Sequence, residues 1–157
     1  MEIERKFLLD QVPADVGAGL EIDQGYLAVS DDGVEVRVRR YGDDRTLTVK
    51  SGPSHVRTEE ELEIDERRFE ALWPLTEGRR IVKTRHRVDL GDGLTAEVDV
   101  YGGAHEGLAV AEVEFPDEEA SHRFQAPDWL GREVTGDARY ANQQLALGGR
   151  VRGAARG

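Results

Sequence analysis

Glu2, Glu4 and Lys6 alternate with Ile3, Arg5 and Phe7 in the opening run MEIERKF. In an extended strand successive side chains point to opposite faces, so two acids and a base stand in one column. The same period of two recurs along the chain. Glu35, Arg37 and Arg39 alternate with Val34, Val36 and Val38, and Thr46, Thr48 and Lys50 with Leu47 and Val49. Glu59, Glu61, Glu63 and Asp65 alternate with Glu60, Leu62 and Ile64. Lys83, Arg85 and Arg87 alternate with Val82, Thr84 and Val88, and Glu97, Asp99, Glu112 and Glu114 with Ala or Val. A chain patterned this way is mainly β, with one charged and one mostly apolar face on every strand.

The alternation predicts eight strands, at 2–9, 22–29, 34–41, 45–51, 57–65, 80–90, 94–101 and 109–116. Short turns between them, such as Asp31-Asp32-Gly33, Gly42-Asp43-Asp44 and Gly91-Asp92-Gly93, favour antiparallel hairpins. Three helices are expected besides. One at 66–73 is capped by Asp65 and stopped by Pro74, a second follows Pro116 to about Phe124, and a third spans 138–147. The fold class expected is α+β with a dominant antiparallel sheet. Residues 1–147 read as a single domain and 148–157 as a disordered tail.

With no cysteine among the 157 residues, disulfides, thiolate zinc sites and a cysteine nucleophile are excluded, and a reducing compartment fits. No apolar run approaches the roughly 20 residues that span a bilayer, and the N-terminus lacks the layout of a signal peptide. A cytoplasmic protein without a membrane partner is therefore expected. The net charge of −11 argues against a nucleic-acid partner, whose phosphates call for Lys and Arg. Yet the bases fall in blocks, Arg37 to Arg40 and Lys83 to Arg87, and the acids gather at 59–66 and 112–119. His55, His86, His105 and His122 show no metal-ligand spacing, and Trp73 and Trp129 read as packing residues.

A charged strand face is most simply the solvent side of a half-buried sheet. Three features favour an enclosed face instead. Several strands carry charges of one sign, which repel when stacked about 5 Å apart across strands. Acidic and basic strands both occur and can pair across a shared interior, and about eight strands suffice to close a barrel around side chains or one small ligand. Carboxylates so enclosed suit Mg²⁺ or Mn²⁺, and the bases suit a polyanion, which together imply attack on a phosphoryl group. With the charged parity enclosed, Arg5, Arg40 and Glu60 fall on the outer parity and are expected in water. Arg87 and Glu97 fall on the inner parity near a rim.

The ordered set EIERKF, QGYL, VRVR, LTVKS, ELEID, LWPLTEGRRIVKTR, EVDV, AEVEF and DARYANQQLA, from Met1 to about Leu147, resembles the CYTH family of triphosphate tunnel metalloenzymes. The similarity is greatest to short bacterial members that hydrolyse inorganic triphosphate. It implies a closed antiparallel eight-stranded β-barrel, a tunnel with its charged parity inward, a few flanking helices, and a C-terminal helix near the mouth. Metal binding is implied for Glu2, Glu4, Glu61, Glu63, Asp99, Glu112 and Glu114, and substrate binding for Lys6, Arg37, Arg39, Lys50, Lys83, Arg85 and Arg139. Glu2 and Glu4 are further implied in catalysis, with Lys83 helping at the leaving phosphate. The cofactor implied is Mg²⁺ or Mn²⁺, as two ions, in a monomer or homodimer. Relatives that are class IV adenylyl cyclases or nucleotide and thiamine triphosphatases leave the reaction open, as does a noncatalytic module that captures polyphosphate. The roles of Arg87, Glu97 and Tyr140 stay unassigned.

Overall fold

The computed structural model describes residues 3–51 and 58–148, so Glu2 lies outside the described residues. All eight expected strands form, each within two residues of its predicted bounds: β1 (Ile3–Leu8), β2 (Leu20–Val29), β3 (Glu35–Tyr41), β4 (Asp44–Ser51), β5 (Thr58–Glu63), β6 (Arg80–Gly91), β7 (Leu94–Tyr101) and β8 (Ala109–Phe115). They make one sheet, antiparallel throughout, in the order β1-β8-β7-β6-β2-β3-β4-β5. Residues opposite one another in such a ladder share a face. Glu4 is therefore carried beside Glu114, Lys6 beside Glu112, Arg85 beside Asp99, and Lys50 beside both Glu35 and Glu59.

The expected closed barrel is not what the ladder shows. β1 and β5 are its two ends, and among the described residues no pairing joins them. The reason lies at the β1 edge, whose hydrogen-bonding groups are already taken by segment 131–135. Leu8 N donates to Arg132 O at 2.9 Å, Gly131 N to Leu8 O at 2.8 Å, and Val134 N to Lys6 O at 2.8 Å. The sheet curls rather than closes, with β1 and β5 lining a common cavity from opposite edges.

Helix α1 (Glu66–Leu72) starts where Asp65 accepts from Arg68 N at 2.8 Å. It buries Phe69 over β3 and β4 before Pro74 turns the chain into a 3₁₀ segment, Trp73–Thr76. Helix α2 (Glu118–Arg123) is capped by Asp117 and packs on β1 and β8, with Phe124 meeting both Phe7 and Phe115. The third predicted helix is two pieces, a 3₁₀ turn at Ala138–Tyr140 and α3 (Asn142–Ala146). Ala141 between them is extended, so the helix cannot run through.

Two apolar clusters hold the sheet. One lies under α2 on the outer face and includes Phe7, Val98, Ala111, Val113 and Phe115. The other plugs the inner face beneath α3, where Leu8, Tyr26, Ile81, Tyr101 and Val110 meet Leu145. Leu8, Ile81, Tyr101 and Val110 continue the charged parity of their own strands, so the inner face changes from charged to apolar along them. Two outer-parity charges differ from expectation because the outer face is roofed. Arg5 donates to both oxygens of Glu133, at 3.0 and 2.7 Å, and to Ser121 O, and lies over the Phe124 ring. Arg40 pairs with Asp23 at 2.7 Å and covers the Phe69 ring. Glu60 is exposed, as expected.

Gly131 tests how firmly segment 131–135 holds the β1 edge. A Cβ there would meet Leu8 O at 2.6 Å, and a backbone atom in a paired strand has little room to yield. Gly131→Ala is expected to lower stability by about 1–3 kcal/mol, read as a lowered Tm in thermal unfolding. An unchanged Tm would show that the segment is only loosely docked.

Candidate functional site

A cavity of about 490 Å³ occupies the concave face, with contributions from all eight strands and from the start of α3. Its acidic lining is Glu4, Glu35, Glu59, Glu61, Glu97, Glu112 and Glu114, and its basic lining Lys6, Arg37, Arg39, Lys50 and Arg85. A second cavity of about 410 Å³ shares Glu4, Glu97, Glu112 and Glu114 and extends past Arg87 towards Thr95. The inward placement of the charged parity, one of two alternatives in the sequence, is thus the one adopted.

The basic residues divide into two groups by what they touch. Lys6 Nζ lies 3.4 Å from Glu112 and donates to Tyr140 O at 3.3 Å, and Lys50 lies 3.6 Å from Glu59. Arg85 donates to both oxygens of Asp99, at 2.8 and 3.0 Å. Arg37 and Arg39 have no carboxylate within ion-pair distance among the described residues. Arg37 is 8% exposed and its Nε has no hydrogen-bond partner. Burial first, then the charges of Arg37 and Arg85, pull the Arg39 guanidinium down to about 10. Cations so crowded are stabilised by an anion placed between them.

On the acidic side, Glu4 faces Glu114 across β1 and β8, and Glu97 faces Glu112 across β7 and β8. Like charges directly opposite repel, so a cation fits between them. Among the described residues no three His, Asp or Glu side chains are gathered in a way that alone holds a metal ion. Oxygen donors in ones and twos nonetheless suit Mg²⁺, which typically takes one or two carboxylates and completes its shell with water and substrate phosphates. Glu4, Glu112 and Glu114 therefore fit a divalent ion held jointly with a polyphosphate.

Four expected site residues are placed otherwise. Asp99 spends both oxygens on Arg85 and lies 2.7 Å from Lys83 Nζ, so it is engaged as an ion-pair anchor. Burial alone would raise its pKa, but Lys83 and Arg85 outweigh that and hold it below the ordinary value. Lys83 is 2% exposed and sits behind the cavity wall, where burial lowers its pKa against the opposing pull of Asp99. Glu63 is exposed and stands outside the lining, although Glu61 on the same strand lines it and accepts from Thr48 Oγ1 at 3.1 Å. Arg139 is exposed at the surface and forks onto Asp137, with distances of 3.0 and 2.6 Å.

The lining also holds residues to which the sequence assigned no role. Glu35 and Glu59 share the charged parity, and that was their signal. Tyr26 and the fully buried Gln24 behind it lie on the inner parity of β2, where a glutamine between Ile22 and Tyr26 is the only hint. Asn142 and Gln143 line the mouth from α3, and nothing local in the sequence marks them. Tyr101 donates to Asn142 Oδ1 at 2.6 Å and packs its ring 5.4 Å from Lys83 Nζ.

Asp99 provides a stability test. Its folded pKa is lowered, so its stabilisation is present above the unfolded value and is lost as pH falls through the folded one. Asp99→Asn leaves Lys83 buried without a charge partner and is expected to cost about 3–5 kcal/mol at neutral pH. In urea unfolding the gap from wild type should shrink below about pH 4. A gap constant with pH would remove the ion pair as its cause.

The CYTH-domain family model matches residues 1–145. The chain is 45% identical over 146 residues to an inorganic triphosphatase of Nitrosomonas europaea, covering 93% of this chain and 97% of that protein. It is 42% identical over 148 residues to an inorganic triphosphatase of Acetivibrio thermocellus, covering 92% of each. A crystal structure of an inorganic triphosphatase aligns with a TM-score of 0.78 at 44% identity, over 94% of this chain and 95% of that one. The curled antiparallel sheet, its inward charged parity and these full-length matches together establish that the chain belongs to the CYTH family.

Proposed function

We propose that this chain is a divalent-metal-dependent triphosphatase that hydrolyses inorganic triphosphate to phosphate and pyrophosphate. The observation that carries this is the pair Arg37 and Arg39, crowded into the cavity without a carboxylate partner among the described residues, opposite facing glutamates that repel one another. A polyanion and a cation bound together relieve both walls. The two curated relatives, matched over nearly their whole length, are inorganic triphosphatases, which supports the same substrate here.

In this scheme Arg37, Arg39, Lys50, Lys6 and Arg85 grip the phosphates and spread the charge that develops on them. Glu4, Glu112 and Glu114, together with Glu2, hold Mg²⁺ or Mn²⁺, as two ions. Bound there, the metal supplies Lewis-acid neutralisation of phosphate charge and a more acidic water. The water oxygen bonds to the terminal phosphorus as the bridging P–O bond breaks, and a carboxylate of the acidic set takes the water's proton. Lys83 helps at the leaving phosphate from behind the wall, by holding Asp99 and through it the Arg85 fork. Residues of β1 and β5 line the one cavity from the two ends of the sheet, so both would hold the bound metal and phosphate. Residues 1–147 act as one unit, as monomer or homodimer, in the cytoplasm and without nucleic acid or membrane. No helix among the described residues is long and apolar enough to cross a membrane.

Among the described lining residues Tyr26 alone is aromatic, so the phosphates supply most of the binding energy rather than a base. Phosphate release from inorganic triphosphate should exceed that from ATP by at least tenfold in kcat/KM, which asks for only ~1.4 kcal/mol of discrimination. Equal use of both, or cyclic AMP as the main product from ATP, would instead identify a nucleotide enzyme. Arg39→Ala and Lys50→Ala are expected to lower kcat/KM for the two substrates alike, by about 100-fold. A loss confined to ATP would show that these residues read the nucleoside.

Glu114→Gln keeps the side-chain shape and removes one negative ligand. Turnover should fall at least about 100-fold at ordinary Mg²⁺ concentrations, while the Tm of the metal-free protein holds or rises because the repulsion with Glu4 is relieved. Glu4→Gln should abolish turnover in the same way with the fold retained. Full activity in either variant would remove that carboxylate from the metal set.

A further inference from the structure

Gln24 is fully buried on β2, on the inner face but behind the cavity lining, between two residues that do line it. Arg39 Nε donates to Gln24 Oε1 at 2.8 Å, and Gln24 Nε2 donates to the Tyr26 hydroxyl at 2.8 Å. The orientation of the amide follows from chemistry. A guanidinium Nε–H can only donate, so the atom facing it must be the amide oxygen, which turns the amide nitrogen onto Tyr26. The tyrosine oxygen then accepts, and its own O–H proton is left to point away from Gln24. The register supports the same picture, with Gln24 opposite Arg39 and Tyr26 opposite Arg37.

Arg39 needs such a support. Burial and its neighbours Arg37 and Arg85 all disfavour its charge, and it has no carboxylate partner among the described residues to fix the planar fork. The neutral oxygen of Gln24 holds Nε without cancelling the charge, and both terminal amino groups stay available to an anion. A carboxylate at position 24 would hold Arg39 equally well but would weaken its pull on phosphate and could not donate to Tyr26.

We propose that Gln24 is a positioning residue for triphosphate hydrolysis, which fixes Arg39 and Tyr26 so that the guanidinium fork and the tyrosine O–H both face the substrate phosphates. It touches no substrate itself and acts only through these two. The proposal rests on the hydrolase assignment made above and adds to it how the phosphate-gripping face is held in register.

The test is a mutant cycle read in kcat and KM for inorganic triphosphate with Mg²⁺, beside calorimetric binding of inorganic triphosphate and thermal unfolding of every variant. Gln24→Leu should lower kcat/KM by at least about tenfold, as expected when a gripping group is misplaced by about an ångström. In the background of Arg39→Ala and Tyr26→Phe combined, the same substitution should change kcat/KM less than about twofold, because coupled residues are not additive. Gln24→Glu keeps an acceptor for Arg39 but partly offsets its charge and loses the donor to Tyr26, so KM should recover only part of the way from that of Gln24→Leu while kcat stays low.

A loss just as large in the double-mutant background would show a general structural role and overturn the proposal, as would a wild-type rate in Gln24→Leu. Recovery of both constants in Gln24→Glu would remove Tyr26 from it. If Gln24→Leu does not fold, Gln24→Glu judges the same two contacts. If the background is too slow to assay, calorimetry decides: Gln24→Leu should weaken triphosphate binding in the wild-type background and not beside Arg39→Ala. A wild-type chain that binds triphosphate without hydrolysing it would overturn the hydrolase assignment, and the calorimetric arm would still judge Gln24.

Discussion

Charge held on the concave face of a curled sheet must be matched, because ions there are partly withdrawn from water. The chain matches most of it internally, strand against strand: Lys6 with Glu112, Arg85 with Asp99, Lys50 with Glu59, Arg87 with Glu97. Groups of like charge nevertheless stand side by side. Arg37 and Arg39 crowd together on β3, while on the other side of the same cavity Glu4 faces Glu114 and Glu97 faces Glu112, these last two also paired with Arg87 and Lys6. Internal pairing thus concentrates the mismatch in one place, where a metal and a polyphosphate complete the interior.

The same parity that carries the charge also seals one end. Glu4 and Lys6 are followed by Leu8, Asp99 by Tyr101, Lys83 is preceded by Ile81, and Glu112 by Val110. These apolar continuations meet Leu145 and Ala146 of α3, which anchors the mouth helix to the strands that line the site. Catalytic wall and hydrophobic plug are therefore one set of columns, and the depth of the cavity is fixed by where each column changes character.

Period-two alternation made the strands and their two unlike faces legible, while the order of the strands and which face is enclosed came from the ladder itself. Asp65 likewise marked a true helix start, since its side chain accepts from a backbone N–H three residues on. What the alternation could not convey was partnership. Parity placed Asp99 and Lys83 on the inner face, but not that they would bind each other behind the wall. Closure was equally hidden, because it depends on segment 131–135 reaching β1 from more than 120 residues away. Arg139 stands at the surface for a local reason, as Asp137 two residues earlier captures its guanidinium. Gln24 carried almost no signal, for its meaning lies in the geometry of Arg39 across the ladder.

The central claim is that one cavity takes a divalent ion on its glutamate side and a polyphosphate on its arginine side. Crystals of the Glu114→Asp protein, soaked with Mn²⁺ and inorganic triphosphate and measured at the manganese absorption edge, test it most directly. The account predicts an anomalous peak beside Glu4 and Glu112, with phosphate density reaching Arg37, Arg39 and Lys50. Manganese bound only outside this cavity, or phosphate density away from the two arginines, would contradict it.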